Sequence, residues 1–214
     1  MLKFNPEMLK VYFIGGTQNI HGDRKRFIQQ LTIACQSGIT MFQYREKDHS
    51  ALSGTERLAL GKQVREITRK AAIPLIVDDD LKLAQAIDAD GIHVGQSDTP
   101  VQEVVKKASG MIVGLSVHNR DELIASGDLT GVDYLGVGPI FATNSKENAK
   151  QPIGLDGLFQ MNQATLKPIV AIGGIHEDNV GEVLKHSVSG VAVISDIMES
   201  DDIPLTVRHL KGEA

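Results

Sequence analysis

Three side chains at alternate positions, Gln43, Arg45 and Lys47, put an amide, a guanidinium and an ammonium within five residues. They close the apolar run Ile39-Thr40-Met41-Phe42, whose composition suits a buried strand. Alternate side chains of an extended strand share a face. All three are therefore expected to point into one cavity and to meet an anionic ligand there. The competing explanation is a charged strand-to-helix turn without a ligand, and the other strand ends weigh between the two.

Polar residues recur wherever a short Val/Ile-rich run stops. They are Asp78-Asp79-Asp80, Gly95-Gln96-Ser97-Asp98 and Ser116-Val117-His118-Asn119, followed by a long loop holding Thr143-Asn144-Ser145-Lys146, then Gly173-Gly174 and Ser195. Backbones of neighbouring strands run about 4.8 Å apart, so Asp79 and Asp98 repel each other unless a cation lies between them. Mg²⁺ is commonly held by one or two carboxylates plus substrate phosphates, and strand-end cations beside it suit phosphoryl or diphosphate chemistry. The bland alternative makes both aspartates helix N-caps. The expectation adopted is Asp80 as the cap and Asp79 with Asp98 as Mg²⁺ ligands. A second anion site is expected at Gly173-Gly174 and Ile194-Ser195, because glycine lets backbone N–H groups approach a phosphate closely. Residues 138–154 form a connection long enough to be a lid, with Ser145 and Lys146 closing over substrate. His93 is expected inside the fold instead of on a ligand, and His118 at a strand end could reach the cavity. The remaining histidines sit in surface contexts, and none has metal-ligand spacing with a cysteine or second histidine.

The elements that must position these groups alternate regularly. Strands are predicted at residues 11–14, 39–44, 74–77, 91–94, 112–115, 134–137, 168–172 and 191–194. They are short and continuously apolar, as strands buried on both faces of a parallel sheet should be. Helical patterns separate them. Capping-box spacing appears at Ser53-Gly54-Thr55-Glu56, Thr99-Pro100-Val101-Gln102 and Asn119-Arg120-Asp121-Glu122, with Pro100 expected at a first helical position. Final helices are predicted over 178–186 and 203–210. Eight βα units in about 200 residues point to a TIM (β/α)₈ barrel, a single domain over residues 1–214. A doubly wound open sheet would carry a Gly-rich fingerprint after its first strand, and Gly15-Gly16-Thr17 matches that poorly. In a barrel, the C-terminal strand ends form the active site, and that is where the polar residues lie.

Composition narrows the function classes. The 214 residues are 42% hydrophobic and 23% charged, with a formal net charge of −5. That balance argues against a general nucleic-acid binder, which would show a basic stripe, so an anionic ligand must be held by local cations. The single cysteine, Cys35, lies among Leu31, Thr32, Ile33 and Ala34 and is expected to be packing. One thiol forms no intrachain disulfide, which suits a cytoplasmic protein. Residues 1–10 lack the apolar core of a signal peptide, and no run approaches the ~18 apolar residues of a membrane span.

The ordered set of motifs resembles the thiamine phosphate synthase family. It comprises Gln43-Tyr44-Arg45-Glu46-Lys47, Asp78-Asp79-Asp80, Asp90-Gly91-Ile92-His93-Val94-Gly95-Gln96-Ser97-Asp98, Gly114-Leu115-Ser116, Gly136-Val137-Gly138-Pro139-Ile140-Phe141 with Thr143-Asn144-Ser145-Lys146, Val170-Ala171-Ile172-Gly173-Gly174-Ile175 and Val193-Ile194-Ser195. The resemblance runs from the first strand to the last. It implies a Mg²⁺-dependent transferase joining 4-amino-2-methyl-5-hydroxymethylpyrimidine diphosphate to a thiazole phosphate, releasing thiamine phosphate and diphosphate. It further implies that Gln43, Arg45, Lys47, Ser116 and Lys146 bind the pyrimidine diphosphate, with Tyr44, Glu46 and Asp78 counted in the same substrate-binding set. Asp79 and Asp98 would ligate Mg²⁺, while Thr143, Asn144, Ser145, Gly174, Ile194 and Ser195 would hold the thiazole phosphate. Arg45, Lys47, Ser116 and Lys146 are the implied catalytic groups. One position departs from the family: Asp78 stands where the usual residue is Asn, exchanging a donor–acceptor for an acceptor. Two other functions fit less of the pattern. A thiazole tautomerase on the same fold would not need the diphosphate–metal set, and a non-catalytic phosphate-ligand sensor would not need paired carboxylates. Small-molecule substrates are expected as the partners, with a homo-oligomer possible and neither nucleic acid nor membrane involved.

Overall fold

The computed structural model describes residues 2–47, 50–145 and 150–213. Eight strands, β1 (Val11–Gly15), β2 (Met41–Tyr44), β3 (Leu75–Asp78), β4 (Gly91–Val94), β5 (Ile112–Val117), β6 (Tyr134–Val137), β7 (Ile169–Ile172) and β8 (Gly190–Val193), pair in sequence order into a closed barrel. Every pairing is parallel, and β8 returns to β1 through Val11 opposite Val191 and Phe13 opposite Val193. The expected TIM barrel is therefore the observed fold.

Helices wrap the outside: α1 (Arg24–Gln36), α2 (Gly54–Lys70), α3 (Leu81–Ala86), α4 (Val101–Lys107), α5 (Arg120–Ala125), α6 (Gly154–Ala164), α7 (Val180–Leu184), α8 (Ser195–Met198) and α9 (Ile203–Leu210). Alternation along each strand splits the core in two. Val11, Phe13, Phe42, Tyr44 and Val77 face the helices and join the outer cluster. Tyr12, Ile14, Met41, Ile76, Ile112, Tyr134, Val170, Ala192 and Ile194 fill the barrel interior. Cys35 belongs to the outer cluster, buried as expected. The first residues have a role that the sequence did not announce. Phe4, Met8 and Leu9 reach under the strands and join the interior cluster, with Phe4 stacked on Tyr134 at 5.8 Å.

Element boundaries differ from expectation for local reasons. β3 and β7 begin one residue after Pro74 and Pro168, which have no N–H to give to the ladder. β5 runs on to Val117, so Ser116 is a strand residue whose orientation the sheet fixes. The Ser53 capping box forms as predicted: Ser53 Oγ accepts from the Glu56 N–H and Glu56 accepts from the Ser53 N–H. Asn119 caps α5, but Glu122 reaches back to the N–H of His118 instead of Asn119. The predicted box at Thr99 is not formed, because Pro100 itself is the N-cap and α4 starts at Val101. α7 is shorter than predicted, since residues 176–179 form a turn closed by Asn179 Oδ1 on the His176 N–H. Among the described residues, no helix is long and apolar enough to cross a membrane.

Candidate active site

Parallel pairing brings the strand-end residues to one mouth. Gln43, at the end of β2, faces inward opposite Ile14 and Ile76, and Asp78 stands opposite His93. The chain leaves β2 still extended, so Arg45 and Lys47 follow Gln43 toward the cavity side. Arg45 Nε lies 3.4 Å from Asp78 Oδ2, and Lys47 Nζ lies 3.2 Å from the same oxygen. Lys47 also reaches Asp79 at 3.5 Å and Asp98 at 3.1 Å. The expected sharing of one face by Gln43, Arg45 and Lys47 is met.

Tyr44 and Glu46 are on the opposite face, which corrects their expected place at the substrate. Tyr44 packs toward Phe27 in the helix layer and donates from its hydroxyl to the Arg57 carbonyl. Glu46 accepts from the Thr17 N–H, the Thr17 hydroxyl and Ser50, fixing the loop after β1 against the loop after β2. The same alternation that turns Arg45 and Lys47 inward turns these two outward. Gly16 explains the Gly15-Gly16 pair left over from the sequence, because any Cβ there would collide with the Arg45 carbonyl.

The Asp78-Asp79-Asp80 turn gives each carboxylate a separate task. Asp80 Oδ1 caps α3 by accepting from the Leu83 N–H at 2.9 Å, as expected. Asp79 is held at φ 61 by its N–H bond to the His93 carbonyl, a left-handed conformation that costs a non-glycine residue about 1–3 kcal/mol. That conformation aims its carboxylate at Lys47 instead of at a helix end. Asp98 is not a cap either, since Pro100 takes that place. Its Oδ2 accepts from the Gly95 N–H at 2.8 Å, leaving Oδ1 for Lys47. The N-cap explanation of this aspartate pair is therefore set aside.

The electrostatics of the cluster follow from this packing. Burial disfavours charge on Lys47, yet Asp78, Asp98 and Asp79 outweigh it and hold the ammonium above its ordinary pKa. Burial, reinforced by the charges of Asp98 and Asp78, pushes Asp79 up against the pull of Lys47. Burial also opposes the charge on Asp98, but the Gly95 N–H and Lys47 outweigh it and keep this carboxyl low. Among the described residues, two cations thus face three carboxylates, leaving one negative charge over. A diphosphate entering here needs further positive charge. Asp79 and Asp98 converge on a single ammonium and are hard oxygen donors, so they fit a Mg²⁺ ion that shares its remaining ligands with phosphate.

The other half of the mouth is a cavity of about 320 Å³ at the ends of β4 to β8, a usual size for a small-molecule site. Ser116, His118, Gly174, Ile194 and Ser195 line it. Gly173 and Gly174 have φ of 97 and 64 and pack directly under residues 139–142, so only glycine brings the β6 and β7 loops this close. Thr143 accepts from the Ser145 N–H, and the hydroxyls of Ser145 and Ser195 lie 3.4 Å apart, joining the β6 loop to the start of α8. Thr143 and Ser145 line this cavity, whereas Asn144 is exposed and lines a shallower depression beside it. Lys146 lies outside the described residues. His118 does reach the cavity, with its ring on the Gly138 carbonyl. Gln96, expected only as part of the fourth strand end, donates to the Ser116 carbonyl and lines the cavity. Lys150, paired with Glu122, and His176, expected at the surface, line it as well and carry no local signal in the sequence.

Comparison with known proteins bears on the chain as a whole. The family model described as thiamine monophosphate synthase matches residues 11–197. A thiamine-phosphate synthase from Leuconostoc citreum is 49% identical over 209 residues, covering 98% of each chain. One from Limosilactobacillus reuteri is 44% identical over 210 residues, again 98% of each. A solved thiamine phosphate pyrophosphorylase from Pyrococcus furiosus superposes with a TM-score of 0.84 at 34% identity, covering 97% of this chain and 96% of that one.

Proposed function

The chain belongs to the thiamine monophosphate synthase family and is a transferase of thiamine biosynthesis; on that premise we propose that its mouth couples 4-amino-2-methyl-5-hydroxymethylpyrimidine diphosphate with 4-methyl-5-(2-phosphoethyl)thiazole in a Mg²⁺-dependent reaction. One observation carries this reading: the mouth has two unlike halves, a cation–carboxylate cluster at the ends of β2 to β4 and a glycine- and serine-lined cavity at the ends of β4 to β8. The first half suits a metal-bound diphosphate, and the second a phosphate monoester on a small heterocycle.

In the proposed reaction the bond between the pyrimidine methylene carbon and the diphosphate oxygen breaks, its electron pair leaving with diphosphate. The thiazole nitrogen lone pair then forms the new carbon–nitrogen bond. Arg45 and Lys47 stabilise the departing diphosphate, and the surrounding carboxylates keep Lys47 charged for that purpose. Asp78 accepts hydrogen bonds or offsets positive charge near the reacting carbon. Gln43 and Ser116 orient the pyrimidine from opposite sides. The backbone of Gly174 and Ser195, with Thr143 and Ser145, holds the thiazole phosphate in place for attack. Mg²⁺ held by Asp79 and Asp98 would neutralise charge on the leaving group. No nucleophilic side chain is needed, since positioning and charge stabilisation carry the step.

The test is direct. Protein incubated with both substrates and Mg²⁺ should yield thiamine phosphate, EDTA should stop the reaction, and Mg²⁺ in excess should restore it. Activity untouched by EDTA would remove the metal from this proposal. Failure to form thiamine phosphate under any of these conditions would remove the proposed coupling.

A further inference from the structure

Beneath the mouth a hydrogen-bonded chain crosses the barrel, linking Gln43 on β2 to Ser116 on β5. Gln43 Nε2 donates to the Tyr12 hydroxyl at 2.7 Å, and the Tyr12 and Tyr134 hydroxyls lie 2.9 Å apart. Tyr134 Oη is 3.1 Å from His93 Nδ1, and His93 Nε2 is 2.8 Å from Ser116 Oγ. Gln43, Tyr12, Tyr134 and His93 are all buried. A TIM-barrel interior is usually filled by branched aliphatic residues, so three polar heads in a row here are not generic packing. Gly114 clears the space for them, because a Cβ at that position would collide with the Tyr134 ring and His93 Nδ1.

With Gln43 Nε2 as the donor to Tyr12 and the imidazole neutral, one direction satisfies every link of this chain. A hydroxyl carries one proton. Tyr12 receives a proton from Gln43 and so gives its own to Tyr134. Tyr134 then gives its own to His93 Nδ1. The neutral imidazole must carry its proton on Nε2, where it donates to Ser116 Oγ. The Ser116 proton is thereby released for a ligand, and the Gln43 carbonyl oxygen, on the side of the amide away from the Nε2–Tyr12 bond, remains as an acceptor. Turning over the Gln43 amide would reverse every link and swap donor for acceptor at both ends.

We infer that Tyr12, Tyr134 and His93 are positioning residues that hold Gln43 as a hydrogen-bond acceptor and Ser116 as a hydrogen-bond donor toward the substrate. The ligand class this selects presents an N–H donor on the β2 side and an acceptor on the β5 side. The inference rests on the proposed use of Gln43 and Ser116 as substrate contacts, but the direction of the chain is a property of the protein alone.

Two measurements test it. Nitrogen-15 NMR of histidine-labelled protein without substrate should find His93 as the Nε2–H tautomer; the Nδ1–H form, or an even mixture, overturns the inference. In kinetics, Tyr134→Phe keeps the ring and removes the link, and kcat/KM should fall roughly tenfold. The same substitution made on a Ser116→Ala background should have a much smaller effect, since one end of the chain is already gone. Equal losses in the two backgrounds would make Tyr134 a filler of the barrel and nothing more. The NMR measurement needs no coupling activity, so it separates a failure of this inference from a failure of the proposed reaction.

Discussion

Asp78 stands where Arg45 and Lys47 converge, 90% of its side chain out of solvent. It does not face away to help begin α3, because Asp80 does that work. An asparagine in its place keeps an acceptor oxygen, while alanine takes one shared carboxylate away from Arg45 and Lys47. Asp78→Asn should therefore retain most of the kcat/KM, and Asp78→Ala should lose about 1–3 kcal/mol of transition-state binding, roughly ten- to a hundredfold. Steady-state kinetics on both variants checks this, and equal losses would contradict it. At this scale Gln43, Arg45, Lys47, Asp79 and Asp98 were legible in the sequence, because strand alternation and chain order put charged groups at predictable ends. Tyr44 and Glu46 were read as part of the same motif, but alternation sends them to the other face. The Tyr12–Tyr134–His93 chain was not legible as a unit, because three strands supply it and only register brings them together.

Among the elements, the β6 and β7 loops meet through Gly174. Alanine there would be strained at φ 64 and would press on the Ala142 carbonyl and on Phe141. Gly174→Ala should lower unfolding stability by about 1–3 kcal/mol. It should also raise KM for the thiazole phosphate more than it changes kcat. Denaturant titration and kinetics with each substrate varied would show both effects. Helix α1 supplies a pH-dependent case. Burial between α1 and the barrel pushes the Cys35 thiol from 9.0 up to about 12. A thiol whose pKa is higher when folded favours the native state below its unfolded pKa. That contribution declines as pH rises from about 9 toward 12. Native protein at neutral pH should resist thiol reagents, becoming reactive only when unfolded, as a colorimetric thiol assay would report. The strands were legible because continuous apolar runs mark a parallel sheet. Cap details at Thr99 and Asn119 were less so, since capping depends on backbone angles that one composition can satisfy in several ways.

Across the whole molecule, the two ends of the barrel have different duties. At the end away from the mouth, the residues preceding β2, β4 and β6 each tie down the first or second residue of the preceding strand. Thr40 accepts from the Val11 N–H, Asp90 from Leu75 and Asp133 from Val113. Asp90 is also gripped by Arg65 through both carboxylate oxygens. Asp90→Ala should cost about 2–4 kcal/mol of stability. It should leave kcat near the wild-type value below the melting transition, as thermal unfolding and kinetics would establish together. A large fall in kcat at low temperature would contradict this division. The Phe4–Leu9 plug under the strands belongs to the same stabilising end. No periodic pattern announced it, because it is a single short 3₁₀ turn that only a closed barrel gives something to cover.

The mouth also divides along a diameter, with charge and metal-type ligands on one side and a glycine-walled cavity on the other. Inheritance can act on the two sides separately. A lineage that lost Lys47 or Asp98 would forfeit the half proposed for diphosphate, yet among the described residues the loops built on Gly174 and Ser195 have no contact with either residue to lose. What such a descendant would retain, on the proposed assignment, is a receptor for a small phosphorylated heterocycle, already folded and open to recruitment for another task.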